Sequence, residues 1–349
     1  MRYVGVITVL VCVTAGGTAS AGQVVREASG PTAASIQAVV DQFRADLGPN
    51  NGIVAGSQSG GRREINWDGG GAAAAPTFDP SPLTRFAARG AIVLTPGTGF
   101  ETSGAPAAEF GDINPTYPTL FAPFSPPRLF IALNTNVLDV VFNVPGNAAV
   151  AAGVTGFGAV FTDVDAATST RLQFFTPDGA LIFERAVPAA TGNETQSFLG
   201  VSFDRGEIIG RVRIVSGNAA LGPNEAGSAD LVAMDDFIYG EPVSTDGLVI
   251  SPGSGAVFQG AGFQLVIGIE SAVPAIGARV IFDGVEATES LRACFTQGTL
   301  RRGGTTFSCQ VPRGLLGEGD HVLQVVVTDA DQTSRRNAVR WTVIGGSER

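Results

Sequence analysis

Between Arg62 and Glu241 the chain is cut into short apolar runs, each halted within a few residues by glycine or proline. ARGAIVLTPG, LDVVFNVPG, TGFGAVFTDVD, TRLQFFTPDG, ALIFERAVP, QSFLGVSFD and EIIGRVRIVSG follow one another in this way. Runs of this length are too short for helices of ordinary size but fit strands joined by turns. In GRVRIVSG, Arg211 and Arg213 alternate with Val212 and Ile214, which predicts one wet face and one core face. TRLQFF and ALIFER flank TPDG, whose Pro177, Asp178 and Gly179 supply a preset φ, a side-chain turn bond and a positive φ, so the two runs read as a hairpin. Several such strands in series predict an antiparallel β-sandwich.

A second series begins after PVSTDG (242–247), which reads as a linker. LVISPG, FQLVIGIE, ARVIFDGV, FSCQVP, HVLQVVVTDAD and AVRWTVIG lie within residues 248–345, the size of an immunoglobulin-like sandwich, with Trp341 alternating with Val339 and Val343 as core. One clear helix precedes both units. In TAASIQAVVDQFRADL (32–47), Ile36, Val39, Val40, Phe43 and Leu47 share a face, and Gly48-Pro49 ends it. The expected fold is therefore all-β: a jelly-roll-like antiparallel sandwich over 62–241, preceded by a helix and loop over 22–61 and followed by an immunoglobulin-like sandwich over 248–345.

Residues 1–21 read as a secretory signal peptide. Arg2 supplies the charge, Val4 to Val13 an apolar stretch, and Ala19-Ser20-Ala21 a small-residue cleavage site before Gly22. The apolar stretch is shorter than the ~20 residues a membrane span needs, so no span is expected in the mature chain. Export to a secreted, extracellular or periplasmic location follows. In such a compartment the two mature cysteines, Cys294 and Cys309, are expected to pair, clipping one hairpin and stabilising it by ~3 kcal/mol. The net charge of −10 and the lack of any Lys/Arg run argue against a nucleic-acid partner.

Two aspartates stand side by side in the apolar run LVAMDDFIYG. Strict alternation puts Val232, Met234, Asp236 and Ile238 on one face, and Leu231, Ala233, Asp235, Phe237 and Tyr239 on the other. At least one carboxylate then needs a compensating partner. Calcium is one candidate, with Glu64, Asn66 and Asp68 of REINWDG completing a ligand set with Asp235 and Asp236. A metal-free network with Arg62, Arg63, Arg211 or Arg213 is the other. One histidine and no free cysteine cluster make zinc a poor candidate. Asp163 and Asp165 share a face and read as a solvated edge or a second ion site.

FGDINPTYPTLFAPFSPPRLF (110–130) combines prolines with rings. Tyr117, Phe121, Phe124 and Phe130, with Trp67, either present a platform for an extracellular carbohydrate or fold back as a lid over the core. His321 stands alone, without a GxSxG elbow, and no GxGxxG, P-loop or HExxH motif occurs, so no enzyme class is indicated.

As a set, ASIQAVVDQFRADLG, GRREINWDGGG, the 110–130 stretch, VTGFGAVFTDVD, FLGVSFDRGEIIGRVRI and VAMDDFIYGE resemble a group of secreted bacterial proteins with no established activity. More loosely, the start and end of that region resemble exported jelly-roll sandwiches, among them carbohydrate-binding modules and exosortase-sorted surface proteins, although no Pro-Glu-Pro tail is present. Residues 248–344 resemble bacterial immunoglobulin-like modules. That resemblance implies little about function; the residues taken together point to a secreted, non-catalytic binding protein, with carbohydrate as the candidate ligand and calcium as a candidate structural ion. A structural or adhesive extracellular protein that engages a cell-surface component is the second reading, and a carboxylate-dependent glycoside hydrolase the third.

Overall fold

The computed structural model describes residues 22–70, 73–224, 229–259, 262–270, 275–289, 294–299, 304–312, 316–331 and 333–345. The proposed signal peptide, residues 1–21, lies outside them, as does the tip of the Cys294–Cys309 hairpin. No helix among the described residues is long and apolar enough to cross a membrane.

The chain is all-β with one α-helix among the described residues, as expected. An eight-stranded antiparallel sheet runs in the order Gln23–Gly30, Gln196–Phe203, Gly156–Thr162, Ala233–Gly240, Phe130–Leu133, Gly99–Thr102 and Thr77–Asp79, with Arg62–Ile65 also paired to Ala233–Gly240. Facing it, Leu181–Ala186, Arg171–Phe175, Arg211–Val215, Val137–Val144 and Asn147–Gly153 form half of a second sheet, with Ala91–Leu94 beside Val137–Val144. The inward side chains of both layers make one core, including Phe130, Phe157, Phe161, Phe174, Phe237 and Tyr239. The expected hairpin is present, with Arg171–Phe175 antiparallel to Leu181–Ala186.

Gln23–Gly30, within the region expected to hold only a helix and a loop, is an edge strand paired along its whole length with Gln196–Phe203. The helix runs Ala33–Leu47 and buries Ile36, Val40 and Phe43 against the outer face of the eight-stranded sheet, beside Val160, Phe198 and Ile238. Its Phe43 ring rests on Gly158 and Gly200, which are register partners. A Cβ built on either would come within 2.8 Å of the ring, so glycine here makes room for the helix.

PVSTDG is not a free linker. Val243–Ser244 pairs antiparallel with Asn147–Gly153 on one side and parallel with Ser334–Ile344 on the other, which fuses both units into one twelve-stranded sheet. Side chains reinforce the seam. Gln324 donates to the Gly206 carbonyl at 3.1 Å, Arg340 to that of Ile182 at 3.2 Å, and Ile208 packs with Val322 and Ala338.

The C-terminal sandwich closes Leu248–Ser251, Phe263–Ile269, Thr305–Val311 and Thr296–Thr299 over Ser334–Ile344, Gly319–Asp329 and Ala275–Phe282. Trp341 is core and donates its indole N–H to the Pro252 carbonyl. Cys294 and Cys309 form the expected disulfide, on the hairpin of Thr296–Thr299 with Thr305–Val311. His321, at the start of its strand, contacts the Asp283 carboxylate at 2.8 Å, which raises the ring pKa.

Candidate functional site

The two aspartates sit at a β-bulge. Met234 pairs with Phe161 but Phe237 pairs with Ala159, so three steps on one strand span two on the other. The extra residue shifts the alternation. Val232 and Met234 face the inter-sheet core, and so do Phe237 and Tyr239. Strict alternation had put Met234 and Phe237 on opposite faces. The bulge thus keeps both carboxylates out of the inter-sheet core, although each residue is buried at 1% exposure.

Their compensation comes from protonic donors. Asp235 Oδ2 accepts the backbone amides of Phe124 and Ser125 at 2.7 and 2.9 Å. Ser125 donates its hydroxyl to Asp236 Oδ1 at 2.5 Å, and Arg44 of the helix donates to Asp236 Oδ2 at 2.8 Å. Arg44 also reaches Glu64, which takes a 2.6 Å bond from Arg62. The four arginines expected as partners are engaged elsewhere: Arg62 with Glu64, Arg63 with Glu241, and Arg211 and Arg213 with Asp139. Burial and the Asp236 charge push the Asp235 carboxyl well up. Burial also raises Asp236, against the pull of Ser125 and Arg44. Asp68 is pushed to about 6 by burial and then by the Asp236 charge, against a bond from the Arg128 amide.

This donor set does not fit calcium. The ion takes six to eight oxygens, whereas Asp235 and Asp236 are met by N–H and O–H groups, and Arg44 stands where a cation would. No group of three or more acidic, Cys or His side chains among the described residues is arranged to hold a metal. Asn66 is exposed and donates to Asp68, so Glu64, Asn66, Asp68, Asp235 and Asp236 do not assemble as a ligand set. Asp163 and Asp165 also differ from expectation. Asp163 is buried with a left-handed φ of 68°, and only Asp165 is exposed, accepting the Gly192 amide.

The proposed ring platform is interior. Trp67, Tyr117, Phe121 and Phe124 expose 3%, 0%, 1% and 8% of their surface. Trp67 stacks on Phe130 at 3.6 Å between ring centroids and donates to the Asp235 carbonyl. Tyr117 and Phe121 pack with Phe110, Leu129 and Ile131 beneath the 110–129 segment, with the Tyr117 hydroxyl on the Gly222 carbonyl. The prolines shape a lid over the outer face of the eight-stranded sheet. Under that lid lies Glu101, which sequence reasoning did not single out. It is fully buried, and neither carboxylate oxygen meets a donor in the described residues. Burial and the facing Asp112 carboxylate raise its pKa to about 8, so a proton held between the two acids supplies the missing bond.

The helix and lid cover one outer face of the first sandwich; the other stays open. On it, register sets Glu184, Gln173, Arg213, Asp139 and Leu94 in one row. Phe175, Arg211, Val141 and Ile92 form the next. Arg171, Val215 and Val137 form a third. Gln173 donates to Glu184 at 2.5 Å. Arg213 holds Asp139 through two 2.9 Å bonds, and Arg211 adds a third bond while its guanidinium lies 3.7 Å from the Phe175 ring centroid. Beyond the third row a cleft of about 510 Å³ opens between loops, lined by Asn136, Thr168, Ser169, Arg171 and Asn218 among others.

No family model matches this chain. No curated protein matches it either. Among solved structures it is similar to the fibronectin(III)-like modules of CbhA from Clostridium thermocellum, at 13% identity and a TM-score of 0.21 over 29% of this chain and 99% of that one. CopC from Methylosinus trichosporium OB3b matches at 13% identity and 0.22, over 29% and 96%. The N-terminal domain of the Streptococcus gordonii adhesin Sgo0707 matches at 10% and 0.19, over 73% and 66%. Likenesses this weak leave function to be argued from the site itself.

Proposed function

We propose that this is an exported, non-catalytic glycan-binding protein whose recognition surface is the open outer face of the first sandwich. The single observation behind this reading is the contrast between the two outer faces. One is sealed by the helix and the lid. The other displays a ladder of amide, carboxylate and guanidinium groups held in place by mutual bonds. Polyhydroxylated ligands are recognised by such alternating donors and acceptors beside apolar patches, here Phe175, Val141 and Ile92. Prior ordering lowers the entropy lost on binding. Asp235 and Asp236 are buried, and the cleft beside the face has no carboxylate among its lining residues, which favours binding over hydrolysis.

The experiment is retention on a broad panel of insoluble glycans. Wild type is expected to be retained, and Arg213→Ala combined with Gln173→Ala to lose roughly tenfold or more in affinity at an unchanged melting temperature. No retention on any glycan, or full retention by the double variant, refutes the proposal.

A further inference from the structure

Building on that reading, we infer that the cleft at the end of the open face receives the carboxylate of an acidic sugar, a uronic acid unit within an otherwise neutral glycan. The uncommitted side-chain groups around it can each donate a hydrogen bond. Arg171 has no hydrogen-bond partner among the described residues; its Nε lies 3.6 Å from Glu184 in a pair with both side chains more than a third exposed. Exposed pairs of this kind are weak and readily exchanged. Asn218 uses its carbonyl oxygen to accept the Asp230 amide, which leaves its NH₂ group to the cleft. Thr168 is exposed with an unengaged hydroxyl.

The remaining polar groups are committed to the walls. Asn136 donates to the Gly217 carbonyl at 2.8 Å, and Ser169 donates to Asp230. Asp230 is buried, and its carboxylate is taken up by the Asp165 and Ala166 amides and the Ser169 hydroxyl. A guanidinium whose partner, Glu184, is exposed and exchangeable, with an amide NH₂ and a hydroxyl beside it, suits an anion. The volume, about 510 Å³, admits a single sugar ring. The chain's net charge of −10 repels densely charged polymers at long range, which favours an isolated carboxylate on a neutral chain.

Titrating methyl glucuronide against methyl glucoside, followed by protein NMR shifts, tests this on the intact protein. The glucuronide should bind at least about tenfold more tightly, with shifts centred on Arg171 and Asn218. Arg171→Gln should abolish that preference, Arg171→Lys should keep part of it, and Asn218→Ala should reduce it several-fold. Equal binding of the two sugars, no glucuronide binding, or a preference that survives Arg171→Gln overturns the inference. So does tighter binding of methyl glucoside 6-sulfate, which would assign the cleft to sulfate esters. Retention on the insoluble panel, measured in parallel, separates the outcomes. If retention persists while the glucuronide fails, the cleft assignment alone falls; if both fail, the glycan-binding reading falls with it.

Discussion

Replacing Asp235 tests how the buried acid pair is held. In Asp235→Ala the amides of Phe124 and Ser125 lose their acceptor. Each orphaned buried donor costs about 1–3 kcal/mol, so two cost about 2–6 kcal/mol. Removing a carboxyl whose burial is itself costly returns part of this, leaving a net loss of roughly 2–4 kcal/mol. Asp235→Asn differs in kind. Its side-chain oxygen still accepts both amides, and its NH₂ group occupies the position of the proton that Asp235 holds toward Asp236. The Asn variant should therefore lie within about 1 kcal/mol of wild type.

Urea melts across pH give a second readout. The folded-state pKa of Asp235 is raised above its unfolded value. The folded state thus keeps a proton that the unfolded chain has released, and wild-type stability falls as pH rises above the unfolded pKa. Asparagine does not titrate, so the variant should gain on wild type with rising pH. Calcium or chelator should leave the wild-type midpoint unchanged. An Asn variant as damaged as the Ala variant, or a midpoint raised by calcium in wild type but not in Asp235→Asn, would refute the account and restore the metal.

Glu101→Gln should flatten a second pH dependence. With its pKa at about 8 against 4.5 unfolded, Glu101 makes wild type lose stability from about pH 5 to pH 8, with a slope of at most about 1.4 kcal/mol per pH unit, read by urea melts at stepped pH. Ser244→Pro removes an N–H from the strand that joins the two units. Calorimetry should then resolve two transitions where wild type shows one.

The fold was legible where periodicity and punctuation agreed. The TPDG hairpin, the helix face and the clipped Cys294–Cys309 hairpin all rest on local chemistry, and all are present. What local chemistry does not specify is which edges meet. Gln23–Gly30 reads QVVREASG, with charged and small residues filling everything after Val25, and becomes a strand because Gln196–Phe203 offers it a full ladder. Val243–Ser244 is only two residues long and owes its pairing to a neighbour on each side. A bulge is equally hidden, since one inserted residue leaves composition unchanged while reversing every side chain that follows.

The same limit governs the site. Costly buried charge was visible in AMDDFIYG, but its partner was not. Arg44 lies on a helix 192 residues away and reaches the acids only because Phe43 settles on two glycines of neighbouring strands. For the rings, sequence fixed their apolarity and the stiffness of their prolines but not which way the segment turns. Burial decides that, and the rings brace the lid that donates the Phe124 and Ser125 amides to Asp235. The open face was legible as wet from the Arg211 and Arg213 alternation. Its order was not, because the ladder exists only once five separate strands align Glu184, Gln173, Arg213, Asp139 and Leu94. Covering one outer face with helix and lid leaves the fixed polar groups accessible on the other, where Arg171 stands at the mouth of a cleft paired with an exposed, exchangeable Glu184.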